Sequence, residues 1–239
     1  MSAIKTIFKR ELSSYFATPV AYVFLVIFLL LSGLLTFWIG RWFESGQATL
    51  MGFFSFHPWL YLVLMPAIAM RMWAEERNTG SIELLLTLPV TLRDAVIAKF
   101  LAAWVFAGVA LILTFPMWFL VNYLGEPDNG VIFASYIGSW LMAGAFLSIG
   151  ACMSAATRSQ VIAFVLTVVV GLFFLFFGLI QVFGGEGWLV DTAAGLGFIT
   201  HFNSIAKGVL DLRDIIFFLA VIAVFLAATM VVIELKKAD

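Results

Sequence analysis

QVIAFVLTVVVGLFFLFFGLIQV, residues 160–182, contains no Asp, Glu, Lys or Arg. A helix of about 20 residues covers the ~30 Å hydrocarbon core of a bilayer, so this run has the length and the composition of a membrane span. Five more stretches of similar character lie on either side of it, at 20–40, 53–72, 98–123, 132–156 and 214–234. The whole chain agrees with them. Of its 239 residues 64% are hydrophobic and 11% charged, with a mean hydropathy of +1.11. Charged residues make up about a quarter of an ordinary soluble domain, so that class is excluded. Unpaired backbone groups in hydrocarbon cost several kcal/mol each, which leaves helices or a closed barrel. The runs are unbroken rather than alternating, which selects helices. The expected fold is therefore an all-α polytopic membrane protein with six transmembrane helices, forming a single transmembrane domain over residues 1–239.

The basic residues orient it. With the N-terminus inside, Lys5, Lys9, Arg10, Arg71, Arg77, Arg93, Lys99, Arg158, Lys236 and Lys237 are cytoplasmic, ten of the thirteen Lys and Arg. Arg41, Lys207 and Arg213 remain outside. The positive-inside rule then puts both termini in the cytoplasm, with six spans between them. Residues 20–40 are too long for the apolar core of a cleaved leader, so the first span is expected to be retained.

The segments around the spans differ in kind. Residues 2–17 set Ile4, Ile7, Phe8, Leu12, Tyr15 and Phe16 on one helical face, with Lys5, Lys9, Arg10 and Glu11 beside them, before Thr18-Pro19 breaks the pattern. That spacing predicts an amphipathic helix lying at the cytoplasmic interface, in contact with lipid. Spans four and five are joined by little more than Thr157-Arg158-Ser159-Gln160, which requires a tight antiparallel hairpin. The outer connection 183–213 mixes glycines with apolar pieces too short to span, and predicts an extracytoplasmic insertion of short helices that includes His201 and Phe202. Pro66 and Pro116 are placed to kink spans two and three. Small residues along span four, among them Gly138, Gly144, Gly150 and Ser154, allow close helix approach.

Candidates for chemistry within the chain are few. No charged residue falls near the middle of a span, which counts against a proton- or ion-coupled carrier or a channel. The histidines, His57 and His201, lack H-E-x-x-H spacing, and Cys152 has no partner at metal-site spacing, so no metal site is expected. There is no G-x-S-x-G elbow for a nucleophile and no G-x-x-x-x-G-K-[ST] phosphate loop. The chain is expected to be non-catalytic and to bind no cofactor or nucleic acid. Any ATP it uses must be hydrolysed by a partner.

The cytoplasmic stretch from Arg71 to Asp94 points to that partner. A charged helix end is followed by a break at Asn78-Thr79-Gly80 and then a short helix with Glu83 in its first turn, where the helix dipole favours an acid. Pro89 ends that helix, and Thr91 with Asp94 forms a capping box that opens span three. The short helix presents Ile82, Leu84, Leu85, Leu86 and Leu88, more apolar surface than a solvated loop carries.

Glu75-Glu76-Arg77-Asn78-Thr79-Gly80-Ser81-Ile82-Glu83-Leu84-Leu85-Leu86-Thr87-Leu88-Pro89-Val90 resembles the E-E-R-x-x-G-[ST]-x-E-x-L-L-x-x-P signature of type-2 ABC exporter permeases. The likeness extends over the chain: an amphipathic N-terminal helix, six spans, a cytoplasmic coupling helix after span two, and a helical insertion before span six. The tail from His201 to Asp214 is similar to the subgroup of gliding-motility and nitrous-oxide-reductase-maturation permeases. The resemblance implies the permease subunit of an ATP-driven exporter in the bacterial inner membrane. It implies a separate ABC ATPase subunit that binds ATP and Mg, a second permease (a homodimer or a related chain), and room for a periplasmic auxiliary subunit. It assigns ATPase coupling to the 75–90 segment, through Glu75, Glu76, Arg77, Gly80, Ser81, Ile82, Glu83, Leu84, Leu85, Leu86, Leu88 and Pro89, with the N-terminal helix touching the ATPase too. The other function compatible with these features is a membrane scaffold that transmits ATPase-driven motion to a periplasmic partner without moving a solute.

Overall fold

The computed structural model describes residues 3–81, 90–179, 187–208 and 211–236, which form helices and their connections with no strand among them. In chain order the helices are α1 (Ala3–Ala17), α2 (Pro19–Leu34, prolonged by a π-helical turn over Leu35–Ile39), α3 (Met51–Ser55), α4 (His57–Ala69), α5 (Arg71–Thr79), α6 (Leu92–Ile112), α7 (Pro116–Leu124), α8 (Asn129–Ala156), α9 (Gln160–Leu179), α10 (Trp188–Ala194), α11 (Phe198–Ala206) and α12 (Leu212–Leu235). Among the described residues five helical stretches are long and apolar enough to cross a membrane: Pro19–Ile39, Leu92–Leu124, Asn129–Ala156, Gln160–Leu179 and Leu212–Leu235.

The stretch at 53–72 takes a different form. It lies within three helical pieces, α3, α4 and α5, separated at Phe56 and Met70. None is long enough to cross alone, yet together they join opposite ends of the bundle. Leu50, Met51 and Phe54 line a crevice with Asp128 at the start of α8. Trp73 and Ala74 bond to Ser154 near the end of α8. Between those points His57 and Tyr61 meet Ser139, each at 2.7 Å. Pro66 is accommodated inside α4, and its carbonyl accepts the Met70 N–H at 2.9 Å. Pro116 does mark a break, opening α7 after a turn at 113–115.

Helix ends follow their capping residues. The Thr91 hydroxyl accepts the Asp94 N–H at 3.2 Å, as the capping box requires. Asp128 accepts the Gly130 N–H at 2.8 Å, and Asp211 accepts the Arg213 N–H at 2.9 Å. Helices α8 and α9 are separated by three residues, 157–159, the tight hairpin expected from sequence.

Helix α8 is the central post. Every residue from 141 to 150 is buried, and α4, α6, α9, α11 and α12 all pack on it. Its small residues make this possible. A Cβ on Gly150 would lie 2.3 Å from the Ala69 Cβ, and one on Gly138 would lie 2.8 Å from Ile205. With α6 it forms a reciprocal clasp built on W-x-x-x-G in both helices. The Trp104 indole donates to the Trp140 carbonyl at 2.8 Å, and the Trp140 indole donates to the Trp104 carbonyl at 3.1 Å. The two rings stack at 4.2 Å, with Trp104 over Gly144 and Trp140 over Gly108.

Helix α1 packs along α6. Ile7 is buried, while Ile4, Phe8, Leu12, Tyr15 and Phe16 lie against the core, so the stripe seen in the sequence has a protein surface as its partner. Tyr15 stacks on Phe106 at 5.2 Å.

Candidate coupling site

Helix α5, the start of α6, the end of α8 and helix α1 meet at one end of the bundle, around a buried lysine. Lys99 is their common point. It sits two turns into α6 on the stripe of Ala95, Val96, Ala102, Ala103 and Phe106, and is 4% exposed. Its ammonium donates to Glu76 Oε1 of α5 at 2.7 Å and to the Met72 carbonyl at 3.2 Å. Glu11 Oε1 of α1 lies 3.4 Å away, and the Trp73 ring centre 5.1 Å away. A lysine ammonium has three protons to donate and no acceptor, and here three oxygens surround it.

The break at Met70 is held by Ser154 of α8. Its hydroxyl accepts the Trp73 and Ala74 N–H groups at 3.1 and 3.0 Å and donates to the Met70 carbonyl at 2.9 Å. The first N–H groups of any helix lack intrahelical partners, so one hydroxyl supplies a cap to α5 from a neighbouring helix. The arrangement is mirrored at the end of α8, whose last carbonyls also lack partners. Arg77 donates to the Ala155 carbonyl at 2.5 Å, and Lys236 of α12 donates to the Ala156 carbonyl. Cations suit the negative end of the helix dipole.

Helix α5 ends at Gly80, which has φ of +72° and suits the left-handed position without a Cβ penalty. Between α1 and α5 lies a cavity of about 540 Å³ lined by Arg10, Glu11, Ser14, Tyr15, Thr18, Arg71, Met72, Glu75, Glu76, Thr79, Ser81 and Lys99. One oxygen facing this region, Glu76 Oε2, is buried without a hydrogen-bond partner among the described residues. Burial pushes the Tyr15 phenol above its ordinary range, with Glu11 adding to the rise and Arg71 opposing it.

The residues singled out from sequence fall into distinct places. Glu75 pairs with Arg71 at 3.5 Å on the exposed side of α5, while Glu76 and Arg77 turn inward as described. The Ser81 hydroxyl donates to the Glu76 carbonyl at 3.4 Å. Ile82, Glu83, Leu84, Leu85, Leu86, Leu88 and Pro89 lie outside the described residues. On α1, Arg10 pairs with Glu11 at 2.7 Å, and Ile4, Ile7, Phe8 and Leu12 face α6 or the core. His201 and Phe202 belong to the opposite end. Phe202 is buried, and His201 places Nδ1 2.6 Å from Asp214 Oδ1 and Nε2 2.8 Å from the Gly195 carbonyl, with its ring stacked on Phe217.

Sequence reading placed Lys99 among the cytoplasmic basic residues and Ser154 among the small residues of span four, and missed the ties that both make. Those of Lys99 could have been found, because i, i+3, i+4, i+7 spacing from Leu92 puts it on the apolar stripe of its helix. Ser154 left no such trace.

A family model for ABC-2 family transporter proteins matches residues 32–189, about two thirds of the chain. The chain belongs to the ABC-2 transporter family. No curated protein matched it at a significant level. Membership in the ABC-2 family, with five helices able to cross a bilayer, makes this a multi-pass membrane protein and a membrane subunit of an ABC transporter. It also implies association with an ABC ATPase subunit. The matched span covers α3 to α9, and so includes the arm α5, Lys99 and Ser154.

Proposed function

We propose that this chain is the permease subunit of an ATP-driven exporter of the bacterial inner membrane, moving a substrate on energy from ATP and Mg bound by a separate ATPase. It crosses the membrane six times with both termini in the cytoplasm. The broken segment α3–α4–α5 is the second crossing, since its two ends belong to opposite ends of the bundle. The charged end is the cytoplasmic one. Residues 75–90 are the coupling segment, and the apolar face of residues 82–88 docks on the ATPase. Helix α1 lies at the cytoplasmic interface beside it, between lipid and the ATPase. Helices α10 and α11 form the extracytoplasmic insertion. The working unit contains a second permease, the same chain or a related one, and the tail from His201 to Asp214 suits the gliding-motility and nitrous-oxide-reductase-maturation subgroup, in which a periplasmic auxiliary subunit has a place.

The family match over residues 32–189 carries this reading, because it spans the coupling motif. Docking that differs between nucleotide states is the physical requirement: a partner can shift a two-state membrane domain only by binding its states unequally. Changing Ile82, Leu84, Leu85, Leu86 and Leu88 to Ser is expected to leave the protein inserted in the membrane while ATP hydrolysis no longer drives transport. Coupled turnover at the native rate in that variant would refute the coupling assignment. Stimulation of the ATPase by a transported solute separates this reading from a scaffold that only relays motion.

A further inference from the structure

We infer that Lys99 is a positioning residue that clamps helix α1 to the arm α5, so that force reaching the arm moves α1 and α6 with it. The inference rests on the permease reading for its purpose, though its geometry does not. Helices α1 and α5 face each other across the 540 Å³ cavity, and Lys99 of α6 reaches both. Its ammonium lies 2.7 Å from Glu76 of α5 and 3.4 Å from Glu11 of α1. The rest of α1 meets α6 through apolar and aromatic side chains, such as Tyr15 and Phe16 against Phe106. Those contacts tie α1 to α6 alone and do not reach α5. The charge contact of Lys99 does reach it, and at 4% exposure solvent screens it little.

The Met72 carbonyl extends the clamp to the start of α5, 3.2 Å from the same ammonium. The arm is thereby held at Met72 and again one turn later at Glu76. A displacement of α5 would move Glu76, and Lys99 would carry the pull to α6 and, through Glu11, to α1. Removing the ammonium leaves Glu11 with Arg10 alone and Glu76 without its cation, so nothing charged bridges α1 and α5.

The test measures the spacing of α1 and α5 in the full-length permease in lipid, without any ATPase. Spin labels are placed at Ser14→Cys and Asn78→Cys, both exposed positions, in a Cys152→Ala background. The native chain and Lys99→Arg are expected to give one narrow distance. Lys99→Met and Glu11→Ala are expected to give distributions about twofold broader, as a buried ion pair loses one partner. Glu11→Ala keeps the 2.7 Å pair between Lys99 and Glu76, so it guards against a Lys99 variant that fails to fold. A distribution for Glu11→Ala as narrow as the native one overturns the clamp. A variant with a broad distribution that, once reconstituted with its ATPase, couples ATP hydrolysis to transport as the native chain does overturns its part in force transmission. If no ATPase binds the native permease, the permease reading fails while the distance result stands.

Discussion

The two ends of this bundle are held together by different physics. At the charged end a few polar groups do the joining: Lys99 reaches three oxygens of the arm and α1, Ser154 meets two N–H groups and a carbonyl at the break of α4 and α5, and Arg77 and Lys236 each donate to one of the last carbonyls of α8. At the opposite end rings and glycines do most of the joining, around one polar tie from His201 to Asp214 and the Gly195 carbonyl. Phe198 of α11 is fully buried among Phe146, Phe174, Phe217 and Phe218, with ring centres between 4.7 and 6.0 Å away. Gly197 rests directly on Gly178, so α11 meets α9 backbone to backbone. Directional polar ties have discrete alternatives and can be exchanged as a set. Close packing tolerates neither a gap nor an added methyl.

The sharpest way to break this comparison is at the glycine contact. A Cβ on Gly197 would lie 2.2 Å from the Gly178 Cα, with only backbone to give way. Gly197→Val should lower stability by about 3 kcal/mol, the upper end of ordinary overpacking, and thermal unfolding in detergent will show it. Gly52→Ala is the control, because a Cβ there meets nothing within 4 Å and alanine suits a helix better than glycine, so the midpoint should not fall. If both behave alike, the packed end is looser than its geometry. Ser154→Ala comes next. It strips a hydroxyl from two N–H donors and one carbonyl in a buried place and should cost about 2 kcal/mol. Its signature should be local, with faster hydrogen exchange at Trp73 and Ala74 than at Phe198. Glu75→Gln should do least. Its pairing with Arg71 is half exposed on both sides, and loss of such a pair changes stability by less than about 0.5 kcal/mol. A larger loss there would show that the exposed side of α5 is tied as firmly as the buried side.

Much of the architecture was legible before any coordinates. Long apolar runs specified helices because hydrocarbon offers the backbone no other partner. Thr91 with Asp94, the glycine after Thr79, and the three-residue link 157–159 are local chemistry, and each appears as its residues dictate. The broken crossing was less legible. Its apolar residues read as one span, but the break at Met70 depends on Ser154, some 80 residues away, offering a cap to a new helix start. The coupling motif was recognisable as a string, while the inward turn of Glu76 and Arg77 was not, since exposed and buried carboxylates look alike in sequence.

The sequence alone determined that this chain is helical and made for a membrane, and where locally capped helices such as α6 begin, because those outcomes depend on hydrophobicity and on groups a few residues apart. Tertiary structure decided which charges are joined. Lys99 could have faced lipid headgroups or water; it faces Glu11 and Glu76 because α1 and α5 converge on α6 there. Burial makes a charge depend on its neighbours, and neighbours brought from distant parts of the chain exist only once the chain has folded.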